Sequence, residues 1–234
     1  VEIRYQSQAT RLLQDRHGRV IGVTVKGPER FDDITARAVV LGCGGFEANP
    51  EWRARYLGRP WDLVKVRGTR YNTGDGLRMA VEVEALPYGQ WTGAHATPID
   101  AGAPSYGDRR LTDKTNRLSY PLGVMLNSHG RRFVDEGEDF QLYTYAKYGA
   151  AILSQSRGLA FQIFDARVVL LLEGRYRTAT PIVADSLDAL VRQLPVNQRA
   201  ALETLEEYNA AVAPGRFDPS ELDGLATKGL ALPK

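Results

Sequence analysis

Val39-Val40-Leu41-Gly42-Cys43-Gly44-Gly45-Phe46 decides how this chain is read. It completes the apolar run Ala36-Arg37-Ala38-Val39-Val40-Leu41-Gly42, which predicts a strand buried on both faces. The glycines that follow let the backbone turn sharply and let a ligand approach with no Cβ in the way.

Upstream, Val1 to Tyr5, Ala9 to Gln14 and Val20 to Lys26 are short segments rich in β-branched residues. Asp15-Arg16-His17-Gly18-Arg19 separates the last two as a turn. The first forty residues therefore predict a small β meander feeding the buried strand. Downstream, Asn49-Pro50 opens a predicted helix through Tyr56, with proline in its first turn. Thr73-Gly74-Asp75-Gly76 precedes a predicted helix over Leu77 to Val83, with Asp75 as its cap.

Residues 91 to 121 are rich in Gly, Pro, Thr, Asp and Asn with little periodicity, which predicts a long loop, either ordered or mobile. Gly123 to Asn127 predicts a strand, Ser128 to Arg131 a turn, and Arg132 to Glu136 the return strand of a hairpin. Leu142 to Gln155 predicts a helix and Leu159 to Phe164 a strand. Ser186 to Leu194 and Arg199 to Val212 predict two more helices, the first capped by Asp185-Ser186. The second half is α+β, and so is the chain.

A length of 234 residues suits one large domain or two smaller ones. Thirty basic residues against 28 acidic ones give a formal charge of +2, with no basic stripe to bind nucleic acid. The apolar runs are too short to span a bilayer. One cysteine, Cys43, allows no internal disulfide and fits a reducing compartment, so a cytoplasmic protein is expected. No His/Cys cluster has metal-ligand spacing. Both ends read as cuts, which points to a fragment.

Four motifs follow one another in order: Val39 to Phe46; Thr73-Gly74-Asp75-Gly76-Leu77-Arg78-Met79-Ala80; Gly93-Ala94-His95-Ala96-Thr97-Pro98; and Gly123 to Asn127 with Gly130-Arg131-Arg132-Phe133-Val134-Asp135-Glu136. Together they resemble the signatures of the fumarate reductase/succinate dehydrogenase flavoprotein family. Residues 65 to 72, 113 to 121 and 138 to 148 look like its tricarballylate dehydrogenase-like subgroup, whose relatives are also connected with cobalamin biosynthesis as precorrin-3B synthase-like flavoproteins. The resemblance implies an FAD-binding Rossmann-like domain joined to an α+β capping domain. Residues 1–90 would be part of the former and 91–234 the latter. No G-x-G-x-x-G opens a βαβ unit here, so the resemblance implies that FAD belongs to the full-length protein and is not retained by the fragment.

Such a family moves a hydride between flavin and a carbon next to a carboxylate. The protein fixes the substrate and moves one proton. On the matching positions, Cys43, Gly44, Gly45, Gly74 and Asp75 would meet the cofactor, with Cys43 small and buried. His95, Thr97, Thr115 and Asn116 would bind a small anionic di- or tricarboxylate. Arg117 would either act on the substrate or anchor its loop. Where the family carries a proton-transfer arginine this chain has Tyr145, with Lys147 nearby and no arginine between Arg132 and Arg157. A tyrosine hydroxyl relays a proton where a cation stabilises its phenolate; equally, Tyr143, Tyr145 and Tyr148 suit a packed aromatic helix face. Asp135 and Glu136 are expected to pair with Arg131 or Arg132, and Lys26, Arg30, Arg53 and Arg55 to be solvated. An electron-acceptor protein, through which the chain would meet a membrane, and a dimer through exposed edges are the partners implied. The alternatives are a flavoprotein of this scaffold acting in cobalamin biosynthesis or on a substrate such as a ketosteroid, and a non-catalytic binding module.

Overall fold

The computed structural model describes residues 1–216, 218 and 226–234. They form two compact units, one of residues 1–62 and 66–93 and the other of residues 63–65 and 94–234.

The first unit holds the meander. Strands β1 (Gln8–Gln14), β2 (Val20–Lys26) and β3 (Phe31–Thr35) pair antiparallel in that order. Asp15 tightens the first turn, its carboxylate accepting from the amides of His17 (2.9 Å) and Arg19 (3.0 Å). The predicted strand at Val1 to Tyr5 is instead exposed, and among the described residues no strand pairs with it. The buried strand predicted over 36 to 42 is also absent. After the bond from the Ala36 amide to Ile21 (2.8 Å) the ladder ends, and Val40 is 93% exposed. A run buried on both faces needs flanking strands, and among the described residues none pairs with it.

Asn49 caps helix α1 (Pro50–Trp52), accepting from the Trp52 amide at 3.1 Å, and the helix continues as a π-helical turn over Arg53–Leu57. That turn buries Arg53, which was expected in solvent. Its guanidinium donates to the carbonyls of Glu47, Trp61 (2.8 Å) and Asp62 (2.9 Å), knotting the segment together. Helix α2 (Asp75–Glu82) lies against β1, and Arg78 donates to the Thr10 carbonyl (3.0 Å).

The second unit is organised around β4 (Val124–Leu126), whose three residues are all buried. Alternation along the strand divides the core. Met125 packs with Leu118, Tyr120, Val134 and Tyr148, the last on helix α3 (Gln141–Leu153). Val124 and Leu126 pack with Val191 of helix α4 (Leu187–Val191) and with Ala201 and Leu205 of helix α5 (Gln198–Ala211). Part of the loop over 91 to 121 is thus core, since residues 115–120 are all buried.

The partner of β4 is β5 (Phe161–Ile163), antiparallel, and not the expected return strand at 132–136, which touches β4 through a single bridge at Arg132. The reason is Glu136. Its carboxylate accepts the Met125 amide at 2.7 Å, occupying the edge where a second ladder would form. Arg132 pairs with Glu136, as expected, whereas Arg131 pairs with Glu203 (3.3 Å).

Residues 226–234 fold back on this centre. Arg132 donates to the carbonyls of Leu232 (2.7 Å) and Pro233 (3.2 Å), and the Lys234 ammonium donates to the Gly123 carbonyl. Burial pushes the Lys234 pKa down to about 8, with Glu136 opposing the shift and Arg132 adding to it. An unfolded lysine holds its proton to about 10.4. Between these values the unfolded chain binds more protons, so stability rises with pH from about 8 to about 10.4. Lys234→Met is expected to remove that rise. Urea unfolding of both chains at the two ends of the range checks it, the buried tyrosines responding alike in both. An identical pH response in the two chains would exclude the assignment.

Candidate functional site

The first unit brings two sequence-distant glycine segments side by side. The Ala48 amide donates to the Asn72 carbonyl (2.9 Å) and the Asn49 side chain to the Thr73 carbonyl (3.0 Å). Gly44 and Gly74 have φ of 72° and 87°, the left-handed region that favours glycine. A Cβ on Gly76 would stand 2.7 Å from Cys43 Cβ, and one on Gly74 2.7 Å from the Trp52 ring. Phe46, Trp52, Tyr56 and Trp91 pack ring against ring, with centroids from 5.0 to 6.4 Å apart.

Cys43 is exposed, against the expectation that it is buried, because the backbone around it carries almost no side-chain cover. Asp75 does not cap α2. Gly74 takes the cap position, and Asp75 accepts from Thr73 Oγ1 (2.8 Å) and lies 3.7 Å from Arg78.

Among the described residues, no amide from Val39 to Gly45 donates a hydrogen bond, and nothing lies within 4 Å of where a Gly42 Cβ would stand. Unsatisfied amides along a glycine-rich, exposed backbone form a cradle that a planar cofactor bearing phosphates can use.

The second unit assembles the other residues singled out in the sequence. Residues 98–100 and 115–117 bridge antiparallel: Asp100 donates its amide to Thr115 (2.8 Å) and Arg117 its amide to Pro98 (3.0 Å). Thr115, Asn116 and Arg117 are buried. The Arg117 guanidinium donates to the carbonyls of Lys114, Asn116 and Arg175, to Asp100 Oδ2 (3.0 Å) and to Thr178 Oγ1 (3.1 Å). It also lies 5.2 Å from the centre of the Tyr176 ring. These bonds tie the loop to residues 175–178.

Just before this bridge, His95 is exposed and meets the Tyr145 ring edge-on, the centroids 4.9 Å apart and the planes at 84°. Thr97 Oγ1 is buried with no hydrogen-bond partner among the described residues, as is Glu173 Oε2. Such orphans are uncommon enough to require an explanation. Lys147, two residues beyond Tyr145, pairs with Glu138 (2.7 Å). On the same helix Tyr148 is fully buried and its hydroxyl donates to the Asp135 carbonyl, while Tyr143 is 77% exposed. Burial drives the Tyr148 pKa up and that of Tyr120 to about 12, so both core phenols stay neutral.

Sequence reasoning missed Asn72, whose amide lies against Gly44, and Gly149, which touches the segment carrying Thr97. Only Gly149 left a signal, as a glycine inside a helical pattern. Among the described residues no group of side chains could hold a metal ion, and no helix is long and apolar enough to cross a membrane.

A family model described as an FAD binding domain matches residues 1–225. The chain is 28% identical over 221 residues to a cytochrome-linked fumarate reductase of Shewanella frigidimarina, covering 92% of this chain and 36% of that one. It is 29% identical over 239 residues to a vinyl phenol reductase of Lactiplantibacillus plantarum, covering 97% and 44%. Among solved structures it superposes on an open flavocytochrome c3 fumarate reductase with a TM-score of 0.60 and 26% identity, over 88% of this chain and 35% of that one. The chain thus spans less than half the length of each of these three proteins.

Proposed function

The chain belongs to the FAD binding domain family, and from that premise we propose that it is part of an FAD-dependent oxidoreductase acting on a carbon next to a carboxylate. FAD is the cofactor. In this reading the first unit belongs to the cofactor domain, with the exposed amides around Cys43, Gly44 and Gly45 and the turn at Gly74 and Asp75 holding FAD. The second unit belongs to a substrate-capping domain. Bound FAD supplies the acceptance or donation of hydride.

The observation that carries the reading is the His95–Tyr145 contact with the orphaned Thr97 hydroxyl two residues away. A substrate carboxylate accepts from the exposed His95 ring, and a shift of the segment that uncovers Thr97 Oγ1 gives that hydroxyl the partner it lacks among the described residues. Tyr145 holds the proton that moves to or from the adjacent carbon. Arg117, Thr115 and Asn116 keep the strip from Thr97 to Asp100 in place, with Arg117 acting through the loop it anchors. A small dicarboxylate or tricarboxylate such as tricarballylate is the substrate class proposed, supported by the fumarate reductases among the relatives.

Anaerobic mixing of the FAD-loaded, full-length protein with succinate or tricarballylate is expected to bleach the flavin band, and fumarate to restore it after reduction. Tyr145→Phe keeps the ring against His95 and removes only the hydroxyl. It is expected to slow bleaching about 10²–10⁴-fold with FAD still bound. If neither acid bleaches the flavin and fumarate does not reoxidise it, the reading is wrong.

A further inference from the structure

Two spacings coincide on one face of α3. Tyr145 and Gly149 stand four residues apart on that helix, one turn or about 6 Å. His95 and Thr97 stand two residues apart on an open segment, which spans at most about 7 Å. The pairs match like rungs. Tyr145 meets the His95 ring at 4.9 Å, and Gly149 meets the backbone at Thr97.

A Cβ at Gly149 would stand 2.5 Å from the Thr97 nitrogen, 2.7 Å from the Ala96 carbonyl carbon and 2.8 Å from Thr97 Cα. All three are backbone atoms, so no side chain can rotate to make room, and only movement of the segment relieves the clash. Glycine at a helix interior costs about 0.5–1 kcal/mol relative to alanine. Helix stability alone therefore favours alanine at 149, and the close approach of the 95–97 segment explains why glycine stands there.

We propose that Gly149 is a positioning residue. Its missing side chain lets residues 95–97 lie directly on α3, which sets the His95 ring against Tyr145 and buries Thr97 Oγ1. The consequence for the reaction rests on the reading of His95, Thr97 and Tyr145 as substrate-facing, whereas the positioning itself does not.

The test reads the ring protons of the three histidines, His17, His95 and His129, by NMR on this chain. Tyr145→Leu first measures the displacement that the Tyr145 ring current imposes on His95. Gly149→Ala is expected to abolish that displacement while His17 and His129 keep their positions. Ala150→Ser, an exposed change at the next position of the helix, is expected to preserve it. A displacement that survives in folded Gly149→Ala, or one lost equally in Ala150→Ser, overturns the proposal. Should Gly149→Ala fail to fold, Ala96→Gly in the same chain gives the segment freedom to lift away. A wild-type His95 signal in that double variant overturns the proposal, and an altered one supports it. Turnover of the FAD-loaded, full-length Gly149→Ala protein separates the two ideas. A lost displacement with unchanged turnover sinks the functional reading and leaves the positioning role standing.

Discussion

Glu136→Ala is expected to lower the unfolding free energy by about 3–5 kcal/mol, read as a lower urea midpoint at unchanged slope. The carboxylate is fully buried and joins its own segment, 132–136, to β4. It accepts the Met125 amide at 2.7 Å and pairs with the Arg132 guanidinium, whose side chain is only 5% exposed. Removing it strands a buried positive charge left with the carbonyls of Leu232, Pro233 and Val134 and the face of the Tyr208 ring, and it orphans the Met125 amide on β4. Breaking one side of a buried pair is far worse than never having built it. Glu136→Gln retains an acceptor for Met125 but not the charge, so an intermediate loss is expected. A loss under about 1 kcal/mol for the alanine variant would show that β4 does not depend on this carboxylate.

Gly130→Ala is the second large effect, about 2–4 kcal/mol of lost stability, from strain at a left-handed residue combined with overpacking. Gly130 has φ of 74°, and its Cβ would stand 2.5 Å from the Ala201 nitrogen and 2.6 Å from the Asn197 carbonyl oxygen. The turn it closes is bonded to the first turns of α5: the Asn197 amide donates to Ser128 (2.9 Å) and Thr204 Oγ1 to Gly130 (2.8 Å). An added methyl group therefore pushes on helix backbone and loosens two bonds at once. Thermal unfolding of the variant checks this, and a midpoint within about 2 °C of the parent chain would refute the close approach.

Elements whose evidence is local were legible in the sequence. β-Branched composition and turn residues located β1 and β2, and the Ser186 and Asn49 caps located their helices. What failed depended on distant neighbours. The run around Val40 has the composition of a doubly buried strand, yet burial is decided by which strands flank it, and the local pattern cannot name them. The return strand at 132–136 failed because one glutamate side chain does the pairing that a ladder would have done. Arg53 was read as a scattered surface charge, but the π-helical turn points it back at three carbonyls. In the candidate site, motif order singled out two glycine segments that the structure places side by side, and the resemblance singled out His95 and Tyr145. Gly149 carries no chemistry of its own, and a glycine inside a helical pattern does not say which backbone approaches it.

The bonds from Arg132 to Leu232 and Pro233 join residues 100 and 101 positions apart. Contacts of such separation form late, because the intervening loop must be closed before they return any energy. During synthesis at about 5–20 residues per second, some 5–20 seconds pass between the appearance of Arg132 and that of its last acceptors. For that interval the Arg132–Glu136 pair must sit at the centre of a half-covered core. The second unit is thus a structure whose middle is made early and sealed last, and its most vulnerable moment lies in time rather than at any one place on its surface.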